Sequence, residues 1–333
     1  MMLGHLKVVD LTCGLGGYAG VMLAELGAAV TLVEWCPPQG DAAEVAMDRR
    51  GKRVVALDLE GARELVAGAD ILLRGPEAFE ADVGTHPALI DVAILAFEPG
   101  RANAARHATD LTLMARSGLV AIGGDPDRAP LNLPGRQAWA LAGIQGAIAA
   151  LTALHARAAS GAGQRVQVYA YRSAVLANYR EPLTWGWTGR IGARTGNLLV
   201  RGKSGVRQIW QAADGHVTWA LVDNPPMMRA FVAQMGAMAG ELAQVDWDAI
   251  LVADMPQETL RRWEGLVAAW LATMSRTELT RLSNAHGMGL SAIDGVGDVL
   301  ASEHLAARGL WRDAEIDGHA VKLPGPLFLR SPA

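Results

Sequence analysis

The chain is poor in cysteine, lysine and long apolar runs, and each shortage removes a class of function. Two cysteines, Cys13 and Cys36, are too few for a disulfide scaffold and form no metal-ligand pattern. A reduced, cytoplasmic setting without a metal is therefore expected. Lysine stands only at positions 7, 52, 203 and 322, and no basic run interrupts a net charge of −4, so nucleic acid is not an expected partner. No two of the eight histidines stand at metal spacing. The longest apolar stretch, 138–154, is broken by Gln145 and Thr152 and followed by His155 and Arg157. It reads as a buried helix, and no membrane partner is expected. No signal peptide is expected before the first strand. Aromatic residues are only 5%, although ten of them are tryptophan; Trp185, Trp187 and Trp210 read as core or interface residues.

What is present is a large apolar fraction, 51%, with 19% charge over 333 residues. That supports two domains, or one large α/β domain with an insertion. The most informative segment is 8–34, VVDLTCGLGGYAGVMLAELGAAVTLVE. An apolar strand enters a turn with Gly14, Gly16, Gly17 and Gly20, then a helix, then a strand closed by Glu34. Read alone, this pattern fits a dinucleotide dehydrogenase or an S-adenosylmethionine-dependent methyltransferase. Cys13 lies in that loop, where the bland reading is a small residue filling a tight turn.

Short apolar runs at 6–11, 29–34, 53–57, 71–73 and 89–95 predict strands buried on both faces of a parallel sheet. Helical patterns at 18–26 and 60–67 lie between them, which predicts βαβ units. A long helix is expected over 137–159, a strand over 165–169 and a helix over 171–183. Asp214-Gly215 marks a hairpin between 207–211 and 216–221. Further helices are expected at 227–238, 258–274 and 277–286. The expected division is a large Rossmann-like domain at 1–205, a smaller α+β domain at 206–296, and a return to the large domain at 297–333.

Several segments recur together in a telling order. They include Leu26-Gly27-Ala28-Ala29-Val30, Gly51-Lys52-Arg53-Val54-Val55-Ala56-Leu57-Asp58-Leu59 and Ser117-Gly118-Leu119. Ser160-Gly161-Ala162-Gly163-Gln164-Arg165-Val166-Gln167-Val168 and the Pro324-Gly325-Pro326 ending follow. In this order they resemble the family III CoA-transferases (CaiB/BaiF type), the group of formyl-CoA transferase, carnitine CoA-transferase and α-methylacyl-CoA racemase. The resemblance implies a Rossmann-like large domain, a smaller domain and an interlocked dimer. It also implies CoA transfer between carboxylic acids through an aspartyl nucleophile.

The resemblance places that aspartate at position 139, where this sequence has Trp139. No Asp or Glu lies between 128 and 180 to replace it. Positions where the family tends to place polar or basic CoA contacts fall at Trp35, Glu60, Leu73, Ala81 and Leu95, with Arg74 the one nearby cation. The expected site is therefore vestigial or weak and comprises Cys13, Gly14, Leu15, Gly16, Trp35 and Arg74 around Trp139. The expectation is a non-catalytic subunit beside a paralogue that carries the aspartate. CoA or acyl-CoA would be the substrate of the complex, without a covalently bound cofactor and not necessarily held by this chain. Two alternatives stand beside it: an acyl-CoA lyase, racemase or isomerase using His107 or Asp110 as a base, and the methyltransferase.

Overall fold

Apolar runs too short to form helices, separated by amphipathic segments, assemble into a six-stranded, wholly parallel sheet. The computed structural model describes residues 2–100, 108–201 and 204–325. In chain order the sheet unit contains β1 (Lys7–Leu11), α1 (Gly17–Glu25), β2 (Ala29–Val33), α2 (Ala42–Arg49), β3 (Arg53–Val55), α3 (Ala62–Ala67) and β4 (Ile71–Arg74). It continues with β5 (Ile90–Leu95), α4 (Asp110–Arg116), α5 (Leu119–Ile122), α6 (Gln137–Ser160), β6 (Gln164–Tyr169), α7 (Ala170–Ala177) and α8 (Arg180–Thr188). The strand order is β3-β2-β1-β4-β5-β6. The order reverses between β1 and β4, and in open parallel sheets ligands lodge at that reversal, beyond the carboxyl ends of the strands.

Both faces of the sheet are covered, because successive side chains point to opposite sides. Val8, Ile71, Leu73, Val92 and Ile94 join one core with α1, α4, α6 and α7. Val9, Leu11, Val33 and Leu72 join the other with α3. Helix α6 is long and apolar enough to cross a membrane by length and composition alone. It instead lays a stripe of small residues, Ala138, Ala142, Gly143, Gly146, Ala147, Ala150 and Ala153, into the first core.

The described residues group into two compact units. One has bounds Met1–Ile122, Pro130–Gly192 and His304–Ala333, the other Gly123–Ala129 and Ala193–Glu303. The second unit holds the antiparallel strands β7 (Leu198–Arg201), β8 (Ser204–Arg207), β9 (Ile209–Ala212) and β10 (Gly215–Thr218), then α9 (Pro225–Met235), α10 (Gln257–Leu271), α11 (Arg276–His286) and the short β11 (Ser291–Ala292). Its core is aromatic, built on Trp210, Trp219, Phe231, Trp247, Trp263 and Trp270. In the first unit, β12 (Trp311–Ile316) and β13 (His319–Pro324) form a closing hairpin. Arg50, paired with Glu25, donates to the carbonyl of Pro324 and, at 2.8 Å, to that of Gly325, tying the hairpin down.

Two local expectations change. The single helix expected over 171–183 is two helices, broken at Asn178 and Tyr179, and the second runs on to Thr188. Leu176, Tyr179 and Leu183 are exposed, so the apolar periodicity there does not report burial. The β7–β8 hairpin is an addition, since no strand was expected between 183 and 207.

Candidate active site at the glycine loop

The loop from Thr12 to Gly16 turns the chain from β1 into α1. Gly14 and Gly16 have φ of 132° and 99°, in the left-handed region that side chains with a Cβ rarely adopt. What faces these glycines is protein. A Cβ on Gly14 would lie 3.0 Å from Gln39 Cβ and 3.0 Å from Trp139 Cζ3. A Cβ on Gly20 would collide with Asp10 and Lys52.

Asp10 and Lys52 form a fully buried ion pair at 2.7 Å. Asp10 also accepts from the backbone N–H of Thr12 at 3.0 Å and its hydroxyl at 2.6 Å, and Lys52 donates to the carbonyl of Gly17 at 2.8 Å. The ammonium nearest the loop is thus consumed internally. Asp48 packs against Gly17, and burial pushes its carboxyl up to about 6, against the attraction of Lys52.

Trp139 sits in the first turn of α6. Its backbone N–H donates to Asp110 Oδ1 at 3.0 Å, and the Arg136 guanidinium lies 4.6 Å from its ring centroid. The indole Nε1 is buried with no hydrogen-bond partner among the described residues. Arg136 is itself engaged by the Gln39 carbonyl at 2.8 Å and Glu44 at 2.6 Å. Glu44 is held by a capping box with Asp41 at the start of α2. The indole therefore fills the space beside the glycine loop, and the N-terminus of α6 is served by Asp110, on α4. Burial raises the Asp110 carboxyl, and the N–H groups of residues 137–139 partly offset this. Asp110 Oδ2 has no hydrogen-bond partner among the described residues.

The remaining expected contacts are also occupied. Trp35 donates its indole N–H to the Leu11 carbonyl at 3.1 Å and packs on the second core. Arg74 is 5% exposed; it grips both oxygens of Asp91 at 2.9 and 3.1 Å and donates to the carbonyls of Ala78 and Ala81, so it does not stand free as a phosphate ligand. Leu15 is buried and helps line a cleft of about 840 Å³ beyond the strand ends, together with Gln39, Glu77, Phe97, Asp110 and Trp139. Among the described residues the cleft presents the carboxyl groups of Glu77, Glu80 and Asp110 together with Arg136, which is already engaged. His107 lies outside the described residues, and His155 is exposed on α6.

One expectation is corrected. Cys13 and Cys36 are not separate thiols: they form a disulfide with Cα atoms 6.2 Å apart. Composition argued only against a scaffold of many bridges, and one bridge needs only two facing positions. The signal lay in the strand register. Asp10 pairs with Leu32 in neighbouring parallel strands, so the chain leaves both strands at one sheet end, with Cys13 and Cys36 just beyond. Gln39, Arg136 and the Asp10–Lys52 pair were also missed, since each acts through partners remote in sequence.

The described fold is thus a parallel sheet with order reversal at β1 and β4, a glycine turn packed on the first turn of α6, and a second α+β unit. The chain belongs to CoA-transferase family III, whose model matches residues 3–331. It is 25% identical to the succinyl-CoA:(R)-benzylsuccinate CoA-transferase subunit BbsE of Thauera aromatica, over 96% of this chain and 86% of the relative. It is 26% identical to the succinyl-CoA–D-citramalate CoA-transferase of Chloroflexus aurantiacus, over 92% and 82% respectively. A crystal structure of a CaiB/BaiF family protein from Brucella suis superposes with a TM-score of 0.77 at 25% identity, covering 92% of this chain and 88% of that one.

Proposed function

We propose that this chain is a non-catalytic subunit of a heteromeric family III CoA-transferase, paired with a paralogue that supplies the nucleophilic aspartate. The observation that carries this reading is Trp139. An indole has one N–H donor and no ionisable oxygen, so it forms no acyl–enzyme bond. It also packs beside Gly14, where an added Cβ would lie 3.0 Å from its Cζ3. Among the described residues, Lys52, Arg136 and Arg74 are paired with Asp10, Glu44 and Asp91. That one relative is named as a subunit supports the same reading.

In this reading the pair interlocks, and the partner binds acyl-CoA and carboxylic acid in turn. This chain contributes scaffold and buried surface. The complex is cytoplasmic, with no membrane or nucleic-acid partner. The methyltransferase reading falls away, because the loop that suggested it is packed with side chains and the chain belongs to another family.

The test is to express the chain alone and with a family III paralogue from its own genome, then follow transfer of CoA from an acyl-CoA to a free carboxylate by mass spectrometry. The expected result is no transfer by the chain alone and transfer by the co-purified pair. A homomer that transfers CoA, and still does so after Trp139→Ala, would sink the proposal. A second reading, an acyl-CoA racemase or lyase, draws on Asp110, whose carboxyl lines the cleft with one oxygen unpartnered. It requires α-proton exchange into acyl-CoA in D2O that disappears in Asp110→Asn.

A further inference from the structure

The disulfide joins two pieces of chain whose separation decides whether the glycine loop is covered. Cys13 precedes Gly14 in the loop, and Cys36 begins a segment, residues 36–40, that belongs to no helix or strand. That segment covers the loop: Gln39 packs on Gly14, and its side chain donates to Glu77 at 3.3 Å. Its backbone carbonyl is held by Arg136. Beneath it lies a small cavity of about 30 Å³, bounded by Thr12, Cys13, Gly14, Cys36, Gln39 and Asp48. The two sulfurs differ in access, since Cys13 is 4% exposed while Cys36 is partly open to solvent.

We propose that Cys13–Cys36 is a reversible dithiol–disulfide site. Its oxidised form locks residues 36–40 over the glycine loop, and its reduction by a dithiol, small-molecule or protein, releases them. The more accessible Cys36 Sγ is the point of attack. A reductant thiolate bonds to it, the S–S bond breaks, and Cys13 leaves as a thiolate that takes up a proton. The reductant's second thiol then displaces Cys36, which leaves as a thiolate and is protonated in turn. The dithiol has given two electrons and becomes a disulfide, and this chain holds two thiols. Freed of the bridge, residues 36–40 keep among the described residues two hydrogen bonds, from Arg136 to the Gln39 carbonyl and from Gln39 to Glu77, and the packing of Gln39 on Gly14. Disulfides inside cells, where they occur, are usually transient and catalytic or redox-sensing. The site is independent of whether this chain or a partner performs chemistry.

The test uses the full chain equilibrated across a series of reduced-to-oxidised dithiothreitol ratios. Thiols are trapped by alkylation and counted by mass, and amide hydrogen exchange is recorded on the two end states. The expected result is one two-electron step that exposes both cysteines together. Exchange in residues 12–17, where the N–H groups of Thr12 and Gly17 donate to Asp10 and Gly14, becomes at least about tenfold faster on reduction, while β4, β5 and the second unit keep their protection. Cys36→Ser shows the fast exchange in either buffer, and the wild-type comparison stands without it should that variant fail to fold. Three results overturn the proposal: both cysteines alkylated under oxidising conditions, unchanged exchange in residues 12–17, or exchange rising throughout β1, β4 and β5, which would make the bridge a brace.

Discussion

The two units reach tight packing by opposite means. Around the glycine loop the sheet unit uses small residues to bring backbones together: a Cβ on Gly143 would lie 2.7 Å from Tyr18 Cβ, so α6 and α1 are in near contact. The second unit fills its centre with large rings. Trp219 stacks on Phe231 with centroids 3.7 Å apart, and Phe231 meets Trp270 edge-on at 5.0 Å. The indole N–H groups of Trp210 and Trp219 donate to the carbonyls of Trp219 and Met288 at 2.6 and 3.0 Å, so the rings are buried without orphaned donors. The difference teaches where each unit is brittle. The aromatic core is damaged by removing atoms; the loop region is damaged by removing a charge or adding an atom.

The largest expected effect is on the loop side. Lys52→Met leaves the Asp10 carboxylate buried without its counter-ion and is expected to cost about 3–5 kcal/mol in denaturant unfolding, with Asp10→Asn added to it recovering part of the loss. Phe231→Ala is the matching lesion in the ring core. A cost of about 3–4 kcal/mol is expected, seen as lost hydrogen-exchange protection confined to the second unit. Equal loss of protection in both units would erase the contrast.

A pH experiment sharpens the comparison further. Folded Asp48 keeps its proton up to about pH 6, against an ordinary value of 3.8, because of burial. Between those values the folded state binds more protons than the unfolded one, so this group's contribution to stability falls as pH rises from about 4 to 6 and is level above. The loss is at most about 3 kcal/mol, and Asp48→Asn should flatten that part of the stability–pH curve while raising stability at pH 7. The smallest effect is expected from Asp41→Ala, which removes the cap of α2 at a cost of about 1 kcal/mol and loosens Glu44, visible as faster exchange at the start of that helix.

Much of the fold was legible because burial on both sheet faces forces uninterrupted apolar runs, as at 71–74 and 90–95. The break at Asn178 was not, because Leu176 and Leu183 continue an apolar rhythm on an exposed surface. At the site, Trp139 was legible only through the family resemblance, since nothing local distinguishes a tryptophan that fills a pocket from one that fills a core. The lock of Gln39 and Arg136 on the glycine loop was beyond reach, because its partners are nearly a hundred residues apart in the chain. The disulfide sat between these cases, readable once the register of β1 and β2 is known.

The packing of Trp139 beside Gly14 also bears on how this position can evolve. Every base of a tryptophan codon must change to give an aspartate codon. Each intermediate would leave a hole beside a loop whose cations are already engaged elsewhere. On the proposed reading, in which position 139 would have to carry the nucleophile, no single base change along that path supplies one. A return to a carboxylate there would pass through variants that gain no activity, so on that reading the change is easier to make than to reverse.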